Sequence, residues 1–279
     1  MPIATLAAPA KINLHLEILG RRDDGFHALE TVFQTLELAD QIGLELIPGA
    51  SGIRLDCRDP SIPNGPDNLV WKAAAGYLAR RPGLGQVAIT LDKLLPHGAG
   101  LGGGSSDAAA VLRGLTALDP EPLPGAELAT LALELGSDVP FFLLGGTAHA
   151  TGRGEELTAL TNLPRQPLTV FMPGAILPTP AVFRALTPAE RAPRQARGAA
   201  WFAQQPIENW LHNRLEAPAR RLCPEVDRLL EWLEKQSVPH LMTGSGAACI
   251  ALAHLDPPPQ VRAWWTWTGG PVSPVTIRR

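Results

Sequence analysis

From Pro96 to Asp107 the chain reads Pro-His-Gly-Ala-Gly-Leu-Gly-Gly-Gly-Ser-Ser-Asp, and an alanine-rich helical pattern follows at once. A glycine loop therefore feeds directly into a helix N-terminus. Glycines let the backbone fold around an oxyanion without Cβ clashes, and successive N–H groups can point inward. The first helical turn adds unsatisfied donors and the positive end of the helix dipole. The ligand expected for such a loop is a phosphate chain.

Two familiar phosphate loops can be tested against these letters. The Walker-type loop needs Gly-x4-Gly-Lys-Ser/Thr, with a lysine that reaches the terminal phosphates. Here Ser105 and Ser106 follow Gly104 with no lysine between them, so that reading fails. Gly98, Gly100 and Gly103 satisfy Gly-x-Gly-x-x-Gly, but a dinucleotide fold also wants an acidic residue at a second strand end about 20 residues on. The acid near that position is Asp119, in Leu-Asp-Pro-Glu-Pro, which reads as a helix exit and turn.

A length of 279 residues suits two ordinary domains. The formal charge of −3 and sequence pI near 6.2 bring no basic surplus, so neither nucleic acid nor an anionic membrane is an expected partner. Cys57, Cys223 and Cys249 lie far apart and form no metal-ligand or redox spacing; buried thiols in a reducing cytoplasm are expected. Lys11 and Asn13 interrupt the apolar N-terminal stretch, and no window approaches the roughly 18 apolar residues of a membrane span.

Periodicity predicts strands over residues 11–18 and 41–47, a helix over 67–81 and a strand over 86–91. After the loop come helices over 106–118 and 126–134, an apolar run over 139–144 and a strand over 147–151. The pattern breaks around 157–166, and residues 168–172 open a second unit, so domains are expected at 1–160 and 161–279. That unit carries a polar, arginine-bearing stretch at 187–205 and a helical region at 209–222. A helix at 224–235 follows, with Pro224 at its first position and Val226, Leu229, Leu230 and Leu233 as its apolar stripe. The glycine turn Thr243-Gly244-Ser245-Gly246 leads into a strand at 247–253, and Trp264, Trp265 and Trp267 are expected to close the core.

In the first strand, Lys11, Asn13, His15 and Glu17 alternate with Ile12, Leu14, Leu16 and Ile18, the pattern of a half-buried strand. Lys11 alone reads as a solvated strand residue; Asn13 on the same face and the following Gly25-Phe26-His27 turn raise its interest. Asp138, between Gly136-Ser137 and Val139-Pro140-Phe141-Phe142, is either a turn or cap aspartate or a general base beside a substrate hydroxyl. Gly244-Ser245-Gly246 is either a tight turn or an approach to a transferred phosphate. One of Ser105 and Ser106 is expected to cap the helix, the other to meet phosphate or magnesium.

Taken together, Pro9-Ala10-Lys11-Ile12-Asn13-Leu14, the loop from Leu95 to Ser106, and Thr243-Gly244-Ser245-Gly246 resemble the three ordered motifs of the GHMP kinases. Within that superfamily, the run from Gly20 to Gln34 and the run from Leu135 to Phe142 are similar to the branch acting on a cytidine-diphosphate-linked methylerythritol in non-mevalonate isoprenoid biosynthesis. The resemblance spans about residues 7 to 253 and implies a two-domain α+β fold with the active site in the cleft between domains.

It also implies an ATP-dependent kinase that phosphorylates the tertiary 2-hydroxyl of the methylerythritol unit. ATP would sit on Pro96, His97, Gly98, Ala99, Gly100, Leu101, Gly102, Gly103, Gly104, Ser105 and Ser106, with Mg2+ neutralising its phosphates. Asp138 would take the hydroxyl proton and Lys11 would orient Asp138. Asn13 and Thr179 would meet the erythritol hydroxyls, His27 the cytosine edge and Phe26 its face. A cytoplasmic monomer or weak homodimer is implied, with small-molecule partners only. Two positions depart from the family pattern: Phe26 stands where tyrosine is usual, and His97 where a small residue or methionine is common. Rival readings are a GHMP kinase for mevalonate, homoserine or a sugar, a nicotinamide oxidoreductase, and a nucleotide-binding regulator without turnover.

Overall fold

The computed structural model describes residues 3–257 and 265–272. Two long strands, β1 (Ile3–Arg21) and β2 (His27–Ile47), run antiparallel through the molecule. They are followed by β3 (Ile53–Cys57), α1 (Leu69–Arg80), β4 (Gln86–Asp92), α2 (Gly103–Leu118), α3 (Gly125–Leu135), α4 (Val139–Leu144), β5 (Thr147–Thr151) and β6 (Glu156–Ala159). The sheet order is β3-β4-β2-β1, while β5 pairs with β2 and carries β6 at its edge. Helices α1 and α2 cover one face, where Val70, Ala74, Tyr77, Val111, Leu112 and Leu115 pack on Leu6, Ile42, Leu44 and Ile89.

The second half contributes β7 (Leu168–Met172), α5 (Thr179–Arg184), α6 (Ala199–Gln204), β8 (His212–Asn213), α7 (Glu216–Leu222), α8 (Pro224–Glu234), β9 (His240–Met242), β10 (Cys249–Ala251) and β11 (Trp265–Gly269). Strands β11, β7, β10 and β9 form, in that order, a second antiparallel sheet. Helix α8 lays Val226, Leu229, Leu230 and Leu233 against it, the stripe its 3.6-residue period predicts. β8 crosses back and pairs in parallel with β1, His15 opposite His212, which ties the two halves together beside the first strand.

Several expectations are corrected. β1 and β2 are far longer than residues 11–18 and 41–47, because the apolar alternation continues through polar neighbours. The strict alternation of β1 is also broken. Pairing passes from Asn13–Phe33 to His15–Val32, so Leu14 is the extra residue of a β-bulge. Paired residues share a face, and Leu16, paired with Thr31, therefore joins Lys11 and Asn13 on the side where His15 was expected.

The break at 157–166 hides β6, whose mostly exposed side chains leave no apolar signature. Residues 209–222 are not one helical region: a single 3-10 turn over Ile207–Asn209 and β8 precede α7. The strand expected at 247–253 spans only Cys249–Ala251. Trp265 and Trp267 lie on β11, packed against the core that holds Leu168 and Val170; Trp264 lies outside the described residues.

Candidate active site

Three distant motifs lock together around one cleft. The backbone N–H of Lys11 donates to the Leu101 carbonyl at 2.9 Å, joining β1 to the glycine loop. The N–H of Asn13 donates to the Thr243 hydroxyl at 2.7 Å, joining β1 to the late glycine turn. The loop and the turn touch directly, since a Cβ built on Gly100 would lie 2.9 Å from the Gly246 carbonyl oxygen.

Between them lies a cavity of about 280 Å³ lined by Lys11, Asn13, Asp138, Thr179, Gly102 and Ser245, among others. The Lys11 ammonium, 7% exposed, is 3.7 Å from the Asp138 carboxylate, which is 34% exposed toward the cavity. Lys11 also donates to the Asn13 side-chain oxygen at 2.7 Å, and the Asn13 amide donates to Thr31 at 2.7 Å. Asp138 occupies the cap position of α4, but its side chain makes no capping hydrogen bond. The turn-or-base ambiguity of the sequence thus meets a carboxylate turned to a lysine rather than to its own helix. Thr179, at the start of α5, shares a 2.7 Å hydrogen bond with Ser245 on the same cavity wall.

Helix α2 begins at Gly103, and its N-cap is Gly102, in left-handed conformation at φ 74°. Neither serine caps the helix, contrary to expectation, because glycine at Ncap needs no side chain once the loop turns left-handed. The Ser106 N–H donates to the Gly102 carbonyl at 2.9 Å, so the N–H groups of Gly103, Gly104 and Ser105 precede the intrahelical ladder. A second cavity, about 270 Å³, is lined by the whole loop from Pro96 to Ser105 together with Leu69 and Lys93. Ser106, expected to take part in the loop's site, does not line this cavity; its hydroxyl is buried and without a partner among the described residues.

Under the loop, the Lys93 ammonium bridges the buried carboxylates of Asp40 and Asp107, with 2.7 Å to Asp107. Asp40 also accepts the N–H groups of Leu94 (2.6 Å) and Leu95 (2.8 Å), which pins the chain entering the loop. One ammonium cannot balance two buried carboxylates. Burial, reinforced by the Asp40 charge, pushes Asp107 up to about 7. An unfolded aspartate ionises near ~3.9, so between that value and about 7 the folded chain binds the extra proton. Stability from this group therefore falls as pH rises through that window and levels off above it. Asp107→Asn is expected to raise Tm relative to the parent chain by several degrees more at pH 8 than at pH 5. An identical Tm difference at both pH values would remove Asp107 from the titration.

The turn after β1 carries the remaining predicted residues. His27 lines a cavity of about 360 Å³ with Arg21, Gly25, Phe183, Arg184 and Arg191, and its ring stacks on Phe183 at 4.8 Å. Burial and the charges of Arg21 and Arg191 hold the His27 ring below the usual imidazole range, so it is neutral at pH 7. Phe26, 55% exposed, lines neither this cavity nor the one at Asp138; the Arg153 guanidinium lies 5.0 Å from its ring centre. The loop that brings Arg191 to this cavity ends at Arg197 and Gly198, whose N–H groups donate to the buried Glu30 carboxylate at 2.8 and 2.7 Å.

Phe183 and Arg153 were not singled out in the sequence. Phe183 lines both cavities, and its signal was the Pro-Thr-Pro segment that starts α5 just ahead of it. Arg153 lay between two glycines, in Thr151-Gly-Arg-Gly-Glu155, the composition of a tight turn aimed at a site.

Comparison with known proteins gives the family and the fold. Family models match for the GHMP kinases N terminal domain over residues 68–146 and the GHMP kinases C terminal over 196–266. A 4-diphosphocytidyl-2-C-methyl-D-erythritol kinase of Thermus thermophilus is 44% identical, covering 88% of this chain and 86% of its own length. One from Moorella thermoacetica is 43% identical over 91% of each chain. A crystal structure of 4-(cytidine 5'-diphospho)-2C-methyl-D-erythritol kinase superposes with a TM-score of 0.79 at 41% identity, covering 96% of this chain and 98% of that one. A homoserine kinase from Cytophaga hutchinsonii shares the fold alone, with a TM-score of 0.72 at 16% identity over 100% of this chain and 98% of that one. The two-sheet α+β architecture is thus a family fold: the chain belongs to the GHMP kinases and, within them, to the 4-diphosphocytidyl-2-C-methyl-D-erythritol kinases.

Proposed function

We propose that this kinase transfers the γ-phosphoryl group of ATP to the 2-hydroxyl of 4-diphosphocytidyl-2-C-methyl-D-erythritol, giving the 2-phosphate and ADP, with Asp138 as general base. The observation that carries this reading is the meeting of the Lys11–Asp138 pair with Gly100, Gly102 and Ser245 on the wall of one cavity. A carboxylate there reaches an acceptor hydroxyl while the neighbouring glycine loop holds the donor phosphates. Asp138 accepts the hydroxyl proton as the oxygen attacks phosphorus. Lys11, fixed by Asn13, keeps the carboxylate oriented and balances charge at the attacking oxygen.

Phosphoryl transfer asks little covalent chemistry of a protein, so positioning and electrostatics supply most of the rate. Asn13 and Thr179 border the acceptor side, and His27 and Phe183 suit an aromatic base edge and face. Phe26, expected to stack on the base, lines neither cavity and carries the Arg153 guanidinium on its ring, so the face role passes to Phe183. Loop residues His97 to Ser105 cradle the phosphates through backbone N–H groups, and Pro96, which has none, lines the same cavity.

Magnesium would be held with the substrate phosphates by Ser105 and by the Ser106 hydroxyl, which has no partner among the described residues, at the start of α2. When bound with the nucleotide it neutralises phosphate charge. The division near residue 160, a cytoplasmic setting and a monomer or weak homodimer belong to the same reading.

The test is ADP release with magnesium-ATP. The cytidine-bearing substrate is compared with the same sugar alcohol lacking cytidine and with mevalonate. Turnover confined to the cytidine compound is expected; turnover with mevalonate, or with none of the three, would overturn the substrate reading.

A further inference from the structure

The two cavities at the ends of the cleft share Phe183, one holding Asp138 and the other His27. If a base occupies the second and the acceptor hydroxyl the first, as proposed above, the diphosphate that links them must cross between. That diphosphate is anionic, and Lys11 is already engaged with Asn13 and Asp138. Arg153 is the other cationic side chain lining the Asp138 cavity. Its guanidinium makes no hydrogen bond among the described residues; it has one long ion pair, 3.7 Å to Glu155, and the face of Phe26.

The backbone aims it. Arg153 stands at the tip of the β5–β6 turn between Gly152 (φ 71°) and Gly154 (φ 107°), and the Gly152 carbonyl accepts the Leu29 N–H at 2.8 Å. The Gly154 N–H closes the turn on the Thr151 carbonyl at 3.0 Å. Leu29 and Gly154 line the same cavity, so the turn is fastened to its wall. A guanidinium laid on an aromatic face keeps its N–H edge free, and that planar fork matches phosphate oxygens.

We propose that Arg153 binds the diphosphate bridge of the nucleotide-linked substrate, with Phe26 serving as the platform that holds the guanidinium in place. This rests on the cytidine reading above. In this chain Phe26 then has a role that needs no phenolic hydroxyl, since it supports a cation through its ring face.

The test is calorimetric titration of the full chain with cytidine and with CDP, alongside steady-state kinetics, for the parent protein, Arg153→Gln and Arg153→Lys. Arg153→Gln is expected to weaken CDP about 10- to 100-fold, the range for charge-assisted hydrogen bonds, and to leave cytidine within about 2-fold. KM for the cytidine-diphosphate substrate rises in step, kcat changes little, and KM for ATP stays constant. Arg153→Lys recovers part of the CDP affinity because it restores charge without the fork. Equal losses for cytidine and CDP, or no loss for either, would overturn the assignment while leaving the substrate reading intact. A parent protein that binds neither compound would overturn both.

Discussion

Asp138→Asn is expected to lower kcat by about 10²- to 10⁴-fold, the usual range for a general base, with ATP affinity little changed. The amide is nearly isosteric but cannot accept the hydroxyl proton. The substitution is a clean probe because Asp138 makes no capping bond to α4, so that helix does not depend on the carboxylate. The flanking Val139, Phe141 and Phe142 are buried and hold the segment by packing. Lys11 retains Asn13 in the variant, so its position is kept. The loss should fall on kcat and kcat/KM together, since the interaction is made as the proton moves. Nucleotide titration and single-turnover ADP formation separate the two effects. Full turnover in this variant would take Asp138 out of the mechanism.

The pairing that makes Asp138 interesting is one that sequence alone could suggest only through resemblance. Lys11 and Asp138 belong to β1 and the start of α4, and nothing local in either segment points to the other. The glycine loop was legible because its signal is local: glycine spacing and the helix that follows are read from neighbouring letters. Helices with a regular apolar stripe, such as α8, were equally plain. Long-range pairing was not. β8 is two residues long and exists because it adds to β1, and β6 forms against β5 with exposed side chains. The bulge at Leu14 leaves no mark in composition, yet it turns Leu16 into the cavity. Local letters alone do not settle Phe183 and Arg153, because their importance comes from where α5 and the β5–β6 turn meet one cavity, which only tertiary structure defines.

The other large effect expected concerns how that meeting is enforced. Gly100→Ala should destabilise the protein and lower kcat/KM together, because Gly100 serves both the loop's conformation and its contact with the second half. Its φ of 76° costs a non-glycine residue about 1 to 2 kcal/mol. The added Cβ would stand 2.9 Å from the Gly246 carbonyl oxygen and 3.3 Å from that of Thr243, both backbone atoms of a packed turn. Relief requires the loop and the turn to move apart, which shifts the donors of the loop relative to Lys11 and Asp138. A displacement near 1 Å in such a site is worth roughly 10² in rate. Gly104→Ala provides the contrast: its Cβ would meet nothing within 4 Å, and its backbone is helical. There alanine should leave Tm unchanged or slightly raised, since it is the better helix former, and raise only KM for ATP, because the new methyl enters the space left for phosphate. Thermal melts and ATP kinetics on both variants decide the matter. Parental Tm and turnover in Gly100→Ala would mean that the loop and the late glycine turn are neighbours without mechanical dependence.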